Sequence, residues 1–273
     1  MRTLIRYVLW GVAFLVVIAS IVVFSGTPSN DRAWAPDQAI LPYAEFVDNM
    51  VTIRNIRDIH YRTEDDFDVR HYDATFDLDT ISSVDFIYVP FGDWTGPAHT
   101  FLTFGFDNGE YVAVSVEIRK QVGDTFSAFK GLFRRYEIMY VIASEQDLIG
   151  LRAIHRNDDV YLYPIDAPRE KIREVFVDML ARANDLHQMP EFYNTLTNTC
   201  TTNIVRHVNS IADRTRIPFT YKVILPAYSD QLAYDLGLIK TNVSFEATRA
   251  QAHISERVRE YIDKEDFSER IRN

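Results

Sequence analysis

The stretch His99-Thr100-Phe101-Leu102-Thr103-Phe104-Gly105-Phe106-Asp107-Asn108-Gly109-Glu110-Tyr111-Val112-Ala113-Val114-Ser115-Val116-Glu117-Ile118 reads as two β-strands around a turn. Asp107-Asn108-Gly109 supplies residues that tolerate positive φ, and β-branched and aromatic residues flank it on both sides. With Asn108 at the turn centre, cross-strand partners have numbers summing to 216, twice 108. Thr100, Leu102, Phe104 and Phe106 then share a face with Val112, Val114, Val116 and Ile118. His99, Phe101 and Thr103 share the other with Tyr111, Ala113, Ser115 and Glu117. A one-residue slip would mix the two sets. In this register His99 lies opposite Glu117, and opposed Cβ atoms roughly 4.5–5.5 Å apart permit an imidazole–carboxylate hydrogen bond. A bulge at Gly109 would shift the register and take Glu117 away.

Outward from the hairpin, residues 84–91, 135–143 and 160–163 read as further strands. Pro168 opens an amphipathic helix whose apolar side carries Ile172, Val175, Phe176, Met179, Leu180, Ala183 and Leu186. Ile204, Val205, Val208 and Ile211 give the same period, and residues 231–236 read as a helix stopped by Gly237. Upstream, Tyr43, Phe46, Val47, Met50 and Ile53 suggest a short helix. Residues 58–79, where charges alternate with Tyr61, Phe67, Val69, Tyr72 and Phe76, suggest polar, strand-containing structure. There is no repeat and no low-complexity block. The expectation is one α+β domain, an antiparallel sheet packed on helices, over residues 41–245. Residues 246–273 follow as a charged, solvated helix or tail.

Residues 7–24 are apolar apart from Gly11 and Ser20. As a helix this run spans about 27 Å, close to the ~30 Å hydrocarbon core of a bilayer. Arg2 and Arg6 precede it, so the positive-inside bias leaves the N-terminus cytoplasmic and exports the rest. The expectation is a single anchor in residues 1–25 and a linker over 26–40, with the main domain in the periplasm. The rival is a signal peptide cleaved near Val23 and Ser25, although the run exceeds a usual signal core. The net charge of −10, from 39 acidic and 29 basic residues, argues against a nucleic-acid binder. One cysteine makes no intrachain disulfide, and no Cys/His cluster has zinc spacing.

That cysteine, Cys200, lies in Asn194-Thr195-Leu196-Thr197-Asn198-Thr199-Cys200-Thr201-Thr202-Asn203, just ahead of the helical period. Unpaired N–H groups and the positive dipole end at a helix start favour a thiolate, the reactive form. Cys200 is read as nucleophile, His99 as base and Glu117 as the group that orients the imidazole. Such a thiolate attacks an ester or amide carbonyl and forms an acyl-thioester, with no metal or cofactor required. The Cys200 N–H and the Asn198 amide are candidates for the oxyanion, Asn198 being equally a turn or cap residue. Arg134 and Arg135 are candidates for a lipid phosphate, or a plain strand entry. A buried, inert cysteine and a surface His–Glu pair are the opposing readings.

Five segments resemble a bacterial family of membrane-anchored proteins that share the Lnb-type N-terminal periplasmic domain. They are Gly96-Pro97-Ala98-His99-Thr100-Phe101, Val114-Ser115-Val116-Glu117-Ile118-Arg119-Lys120, Gly131-Leu132-Phe133-Arg134-Arg135-Tyr136-Glu137, the Cys200 segment, and Leu225-Pro226-Ala227-Tyr228-Ser229-Asp230. Lnb is a lipoprotein N-acyltransferase. The resemblance covers roughly residues 85–240 and implies a circularly permuted papain-like fold, with His99 and Cys200 matching the catalytic pair and Glu117 in a matching motif. The further transmembrane segments of Lnb have no counterpart here. The expected activity is transfer of an acyl chain from phospholipid to an amine, plausibly of a lipoprotein. A cysteine peptidase or amidase acting on cell-wall peptide, and a non-catalytic tethered scaffold, are the alternatives.

Overall fold

The computed structural model describes residues 6, 7, 9–15, 26–92, 96–212 and 216–273. Its strands are β1 (Tyr43–Val47), β2 (Met50–Arg57), β3 (His60–Tyr61), β4 (Phe67–Asp68), β5 (His71–Asp77), β6 (Ile81–Pro90), β7 (Ala98–Phe106), β8 (Tyr111–Arg119), β9 (Glu137–Ala143) and β10 (Tyr161–Pro164). β3 and β4 pair only with each other. The other eight form one open sheet in the order β1-β2-β9-β8-β7-β6-β10, with β5 added alongside β2. Pairing is antiparallel except at Arg57↔Ala143, where β2 meets β9 in parallel.

β7 and β8 pair from Gly105↔Tyr111 to Phe101↔Ser115, the register summing to 216. Gly109, at φ +83°, closes a three-residue loop in which the Phe106 N–H donates to the Glu110 carbonyl at 2.9 Å. A glycine in the left-handed region ends such a loop without moving the register.

The helices are α1 (Ala128–Gly131), α2 (Glu145–Gly150), α3 (Arg169–Gln188), α4 (Cys200–Ile211), α5 (Tyr221–Ile224), α6 (Ser229–Asp235), α7 (Phe245–Ala252), α8 (Ser255–Tyr261) and α9 (Phe267–Arg270). They cover both faces of the sheet. On one face, α3 buries the apolar stripe read from its period, and Phe176 packs on Phe104 and Phe106 with ring centroids 4.8 and 5.8 Å apart. On the other, Ile87, Phe101, Met139 and Val141 meet Leu148, Val258, Phe267 and Ile271 from α2, α8, α9 and the residue beyond α9.

Two expectations fail here. Residues 43–53 form the β1–β2 hairpin, not a helix: Val47 pairs with Met50 across Asp48-Asn49, with Asp48 at φ +53°. Val51, Ile53 and Ile56 are buried while Phe46, Val47 and Met50 are exposed, so the helical stripe does not coincide with the buried set. Residues 246–273 are helical but not a solvated tail. Val258, Phe267 and Ile271 are fully buried, and Arg272 bonds Asp85 at 2.9 Å and Glu145 at 2.6 Å with its guanidinium 3.8 Å from the Tyr111 ring centroid. Most of the apolar run 7–24, with Val23 and Ser25, lies outside the described residues. Among those described, no helix is long and apolar enough to cross a membrane.

Candidate active site

The loop ahead of α4 is built from asparagine side chains. Asn194 Oδ1 accepts from the N–H groups of Leu196 and Thr197 at 2.9 and 3.1 Å. Asn198 donates to the Phe192 carbonyl at 2.9 Å and accepts from Asn203 at 2.9 Å. The helix cap is Thr199, not Asn198: its hydroxyl accepts from the Thr202 N–H at 3.2 Å, and its own N–H donates to Thr202 Oγ1 at 2.7 Å. This capping box puts Cys200 at the first helical position of a 12-residue helix, with 8% of its surface exposed.

His99 belongs to a chain of side chains across β7 and β8. Its Nε2 lies 2.8 Å from Ser115 Oγ, Ser115 Oγ donates to Glu117 Oε1 at 2.9 Å, and Arg152 Nη2 donates to the same oxygen at 3.0 Å. The direct His99–Glu117 separation is 3.6 Å, so the serine hydroxyl bridges the pair read from the register. Burial would raise the Glu117 carboxyl, but Arg152, His99 and Arg57 outweigh it and hold it below the usual range. An ionised Glu117 only accepts, so the single Ser115 proton points to it, and Ser115 in turn accepts from His99 Nε2–H. That assigns the tautomer and leaves Nδ1 as the basic nitrogen. Burial first, then the Arg152 charge, push the imidazole down to about 3, against the opposing pull of Glu117. The ring is neutral at neutral pH.

The sulfur and the imidazole approach from opposite faces of the sheet. Thr100 bonds Thr201 of α4 at 2.9 Å, whereas His99 lies on the other side of β7 with Phe101, ring centroids 5.7 Å apart. They nevertheless open into one cavity. The β7–β8 ladder stops at Phe101↔Ser115, and beyond it a space of about 550 Å³ is lined from one side by Ala98, Val116, Tyr193 and Cys200. From the other side it is lined by His99, Glu117, Arg57 and Arg152. No hydrogen bond joins the sulfur to the imidazole. Among the described residues, the polar contact of the sulfur is Thr201 Oγ1 at 3.8 Å.

Arg57 is itself fixed by a buried two-pronged pair with Asp147, both bonds 2.8 Å, and Asp147 also accepts from the Ile59 N–H at 2.9 Å. The cavity rim is mixed: Glu64, Asp65 and Asp158 line it together with Arg156, which bonds Glu64 at 2.8 Å, and Lys120, Asp124, Thr125 and Phe126 line it as well. Phe126, Val122, Phe129 and Leu196 are apolar side chains exposed by 50, 70, 70 and 48%. Thr195 donates to the Ala128 carbonyl at 2.6 Å and Gly131 abuts Tyr193 and Thr195, so α1 is fastened to the Cys200 loop.

Cys200, His99 and Glu117 therefore share a cavity. Asn198 helps to hold the adjoining loop and does not line that cavity. Arg134 and Arg135 also lie outside its lining, exposed at the end of the α1 segment. Arg134 adopts φ +54° and sits over the Phe192 ring at 5.9 Å. Ser115 and Arg152 were not singled out from the sequence. Ser115 falls on the His99 face of the hairpin, and an arginine within the apolar run Leu148-Ile149-Gly150-Leu151-Arg152-Ala153-Ile154 calls for a buried acid. Among the described residues, no three His, Cys, Asp or Glu side chains converge as a metal site requires.

The chain matches the family model described as the Lnb N-terminal periplasmic domain over residues 68–227, more than half of its length, and belongs to that family. No curated protein and no solved structure matches it.

Proposed function

We propose that this family member is a membrane-anchored periplasmic acyltransferase working through a thioester on Cys200. The observation that carries the reading is the shared cavity: a thiol at a helix start and a neutral imidazole with a free Nδ1 line one space with a partly apolar rim. We read the order, strand-borne histidine before helix-borne cysteine, as a circularly permuted papain-like site, recognised by roles and not by chain position.

His99 Nδ1 takes the Cys200 proton across the cavity, directly once substrate has drawn the groups together or through one water. The sulfur attacks the ester carbonyl of a phospholipid, and the tetrahedral oxyanion is met by the Cys200 N–H, which has no partner within the first turn of a helix. Collapse breaks the ester C–O bond, and the imidazolium returns its proton to the departing lysophospholipid alkoxide. An amine then attacks the thioester carbonyl, His99 removes the amine proton and returns it to sulfur, and an amide leaves. Glu117, through Ser115, favours the transient imidazolium. Asp65 and Asp158 on the rim, where Arg156 already pairs with Glu64, suit an amine such as a lipoprotein N-terminus. Arg134 and Arg135, next to exposed Phe129, suit a lipid phosphate. The apolar run 7–24 would hold the domain at the inner membrane, where donor lipid is concentrated.

The test is the full chain in phosphatidylethanolamine/phosphatidylglycerol vesicles, weighed intact. The expected result is one acyl adduct, absent in Cys200→Ser, with equimolar lysophospholipid and at least a hundredfold slower formation in His99→Ala. Absence of both adduct and lysophospholipid overturns the proposal. Free fatty acid as the sole product, with or without amine acceptor, points to a hydrolase.

A further inference from the structure

A second cavity lies on the α4 side of the sheet, about 630 Å³ in volume, within the roughly 300–1,000 Å³ of small-molecule sites. It runs beside α4 from Thr201 past Ile204 and Val208 to Ile211, about 15 Å along the helix. Leu102 of β7 and Leu232 and Leu236 of the α6 region close over it. Three acidic, basic or hydroxyl positions besides Thr201 touch it, Asp166, Lys171 and Ser229, and the other lining residues are apolar.

Its position relative to Cys200 is fixed by two elements. Along the α4-facing side of β7, Ala98 lines the Cys200 cavity and Leu102 the apolar one, with Thr100 between them. Along α4, Cys200 lines the first and Thr201 and Ile204 the second. Where the two meet, the Thr100 and Thr201 hydroxyls bond at 2.9 Å, and Thr201 Oγ1 lies 3.8 Å from the sulfur. One hydroxyl pair thus separates the nucleophile from a long apolar slot.

We infer that this slot binds the hydrocarbon chain of a long-chain acyl group whose carbonyl carbon is at Cys200. The inference rests on the acyl-transfer reading above and adds the element that selects the chain. An elongated, nearly all-apolar space offers little to a peptide or sugar, whose polar groups would enter it unpaired. A polymethylene chain leaves no polar group behind, and each methylene it buries is worth roughly fourfold in affinity, the equivalent of about 0.8 kcal/mol. The Thr100–Thr201 pair marks the point where chain gives way to carbonyl.

The test uses the full chain in nanodiscs of phosphatidylethanolamine and phosphatidylglycerol with a palmitic acid probe carrying a terminal diazirine. After irradiation, cross-links are mapped by peptide mass. Expected are cross-links within residues 204–211 and 229–238, reduced at least tenfold in Val208→Trp and in Leu236→Trp, two fillings from opposite walls, while cross-links to residues 7–24 persist. Labelling confined to other segments, or unchanged by both tryptophans in folded protein, overturns the inference. The acyl adduct on Cys200, weighed separately, distinguishes the two proposals. An adduct without slot labelling ends this one alone, and slot labelling with neither adduct nor lysophospholipid ends the thioester chemistry alone.

Discussion

Against one face of the sheet, α3 lays Ile172, Val175, Phe176, Met179 and Leu180, and closure comes from apolar contact. Against the other, guanidinium groups enter the protein: Arg57 to Asp147, Arg152 to Glu117, and Arg272 to Asp85 and Glu145. The difference is one of tolerance. An apolar layer accepts a side chain of similar volume with small loss, because nothing is left uncompensated. A buried ion pair resists any single replacement, because the survivor keeps its charge without a partner or water. His99 and Glu117 project toward this second, ionic side, and their charge states are set by it. Cys200 is held from the apolar side.

The contrast breaks or sharpens first at Asp147. Asp147→Ala strands Arg57 and is expected to lower unfolding free energy by about 3–5 kcal/mol in urea titration, with most of that recovered in the double variant Arg57→Met/Asp147→Leu. A single-variant loss below about 1 kcal/mol would remove the ionic account of this layer.

Next in size is a pH effect. Below pH 6.5 an unfolded imidazole takes up a proton that folded His99 resists down to about pH 3, so the unfolded chain binds more protons throughout that window. Stability is full above pH 6.5 and declines as pH falls toward 3. Glu117, held below its usual range, acts with the same sign at lower pH, its contribution being lost as pH falls through its folded value. In His99→Gln the fall in urea midpoint between pH 7 and 5 should shrink. It should not vanish, because His207 is also held low by burial against the pull of Asp178. An unchanged slope would refute burial of the ring as its cause.

On the apolar side, Leu180→Met should cost less than about 1.5 kcal/mol at any pH. The smallest effect is expected at the cap. Thr199→Ala should cost about 1 kcal/mol and, by fraying the first turn of α4, change the alkylation rate of Cys200 more than it changes the urea midpoint.

These two sides differ also in how readily they could be read from the sequence. The hairpin register follows from the turn residues and parity: Leu102, Phe104, Val112 and Val114 fall on one wholly apolar face, and the polar residues of the ladder gather mostly on the other. The α3 stripe followed from a helical period, and all seven residues named from it are buried. The ionic side was largely illegible. Arg152 comes from the irregular helical stretch Leu151–His155, and its partner sits 35 positions away on β8, a pairing no local period encodes. Ser115 was on the correct face, but a serine in a strand carries no signal that it bridges a histidine and a glutamate. The β1–β2 hairpin imitates a helix in sequence because Phe46, Val47 and Met50 are exposed apolar residues at helical spacing. In residues 246–273 the charge suggests solvent, yet Arg272 enters the protein and Phe267 and Ile271 are fully buried.

Arg272 also has a temporal meaning. Its carboxylate partner Asp85 lies 187 positions earlier in the middle of β6, and the Arg272 guanidinium joins it to Glu145. Asp85 and Glu145 therefore lack this guanidinium until residues 267–272 have docked.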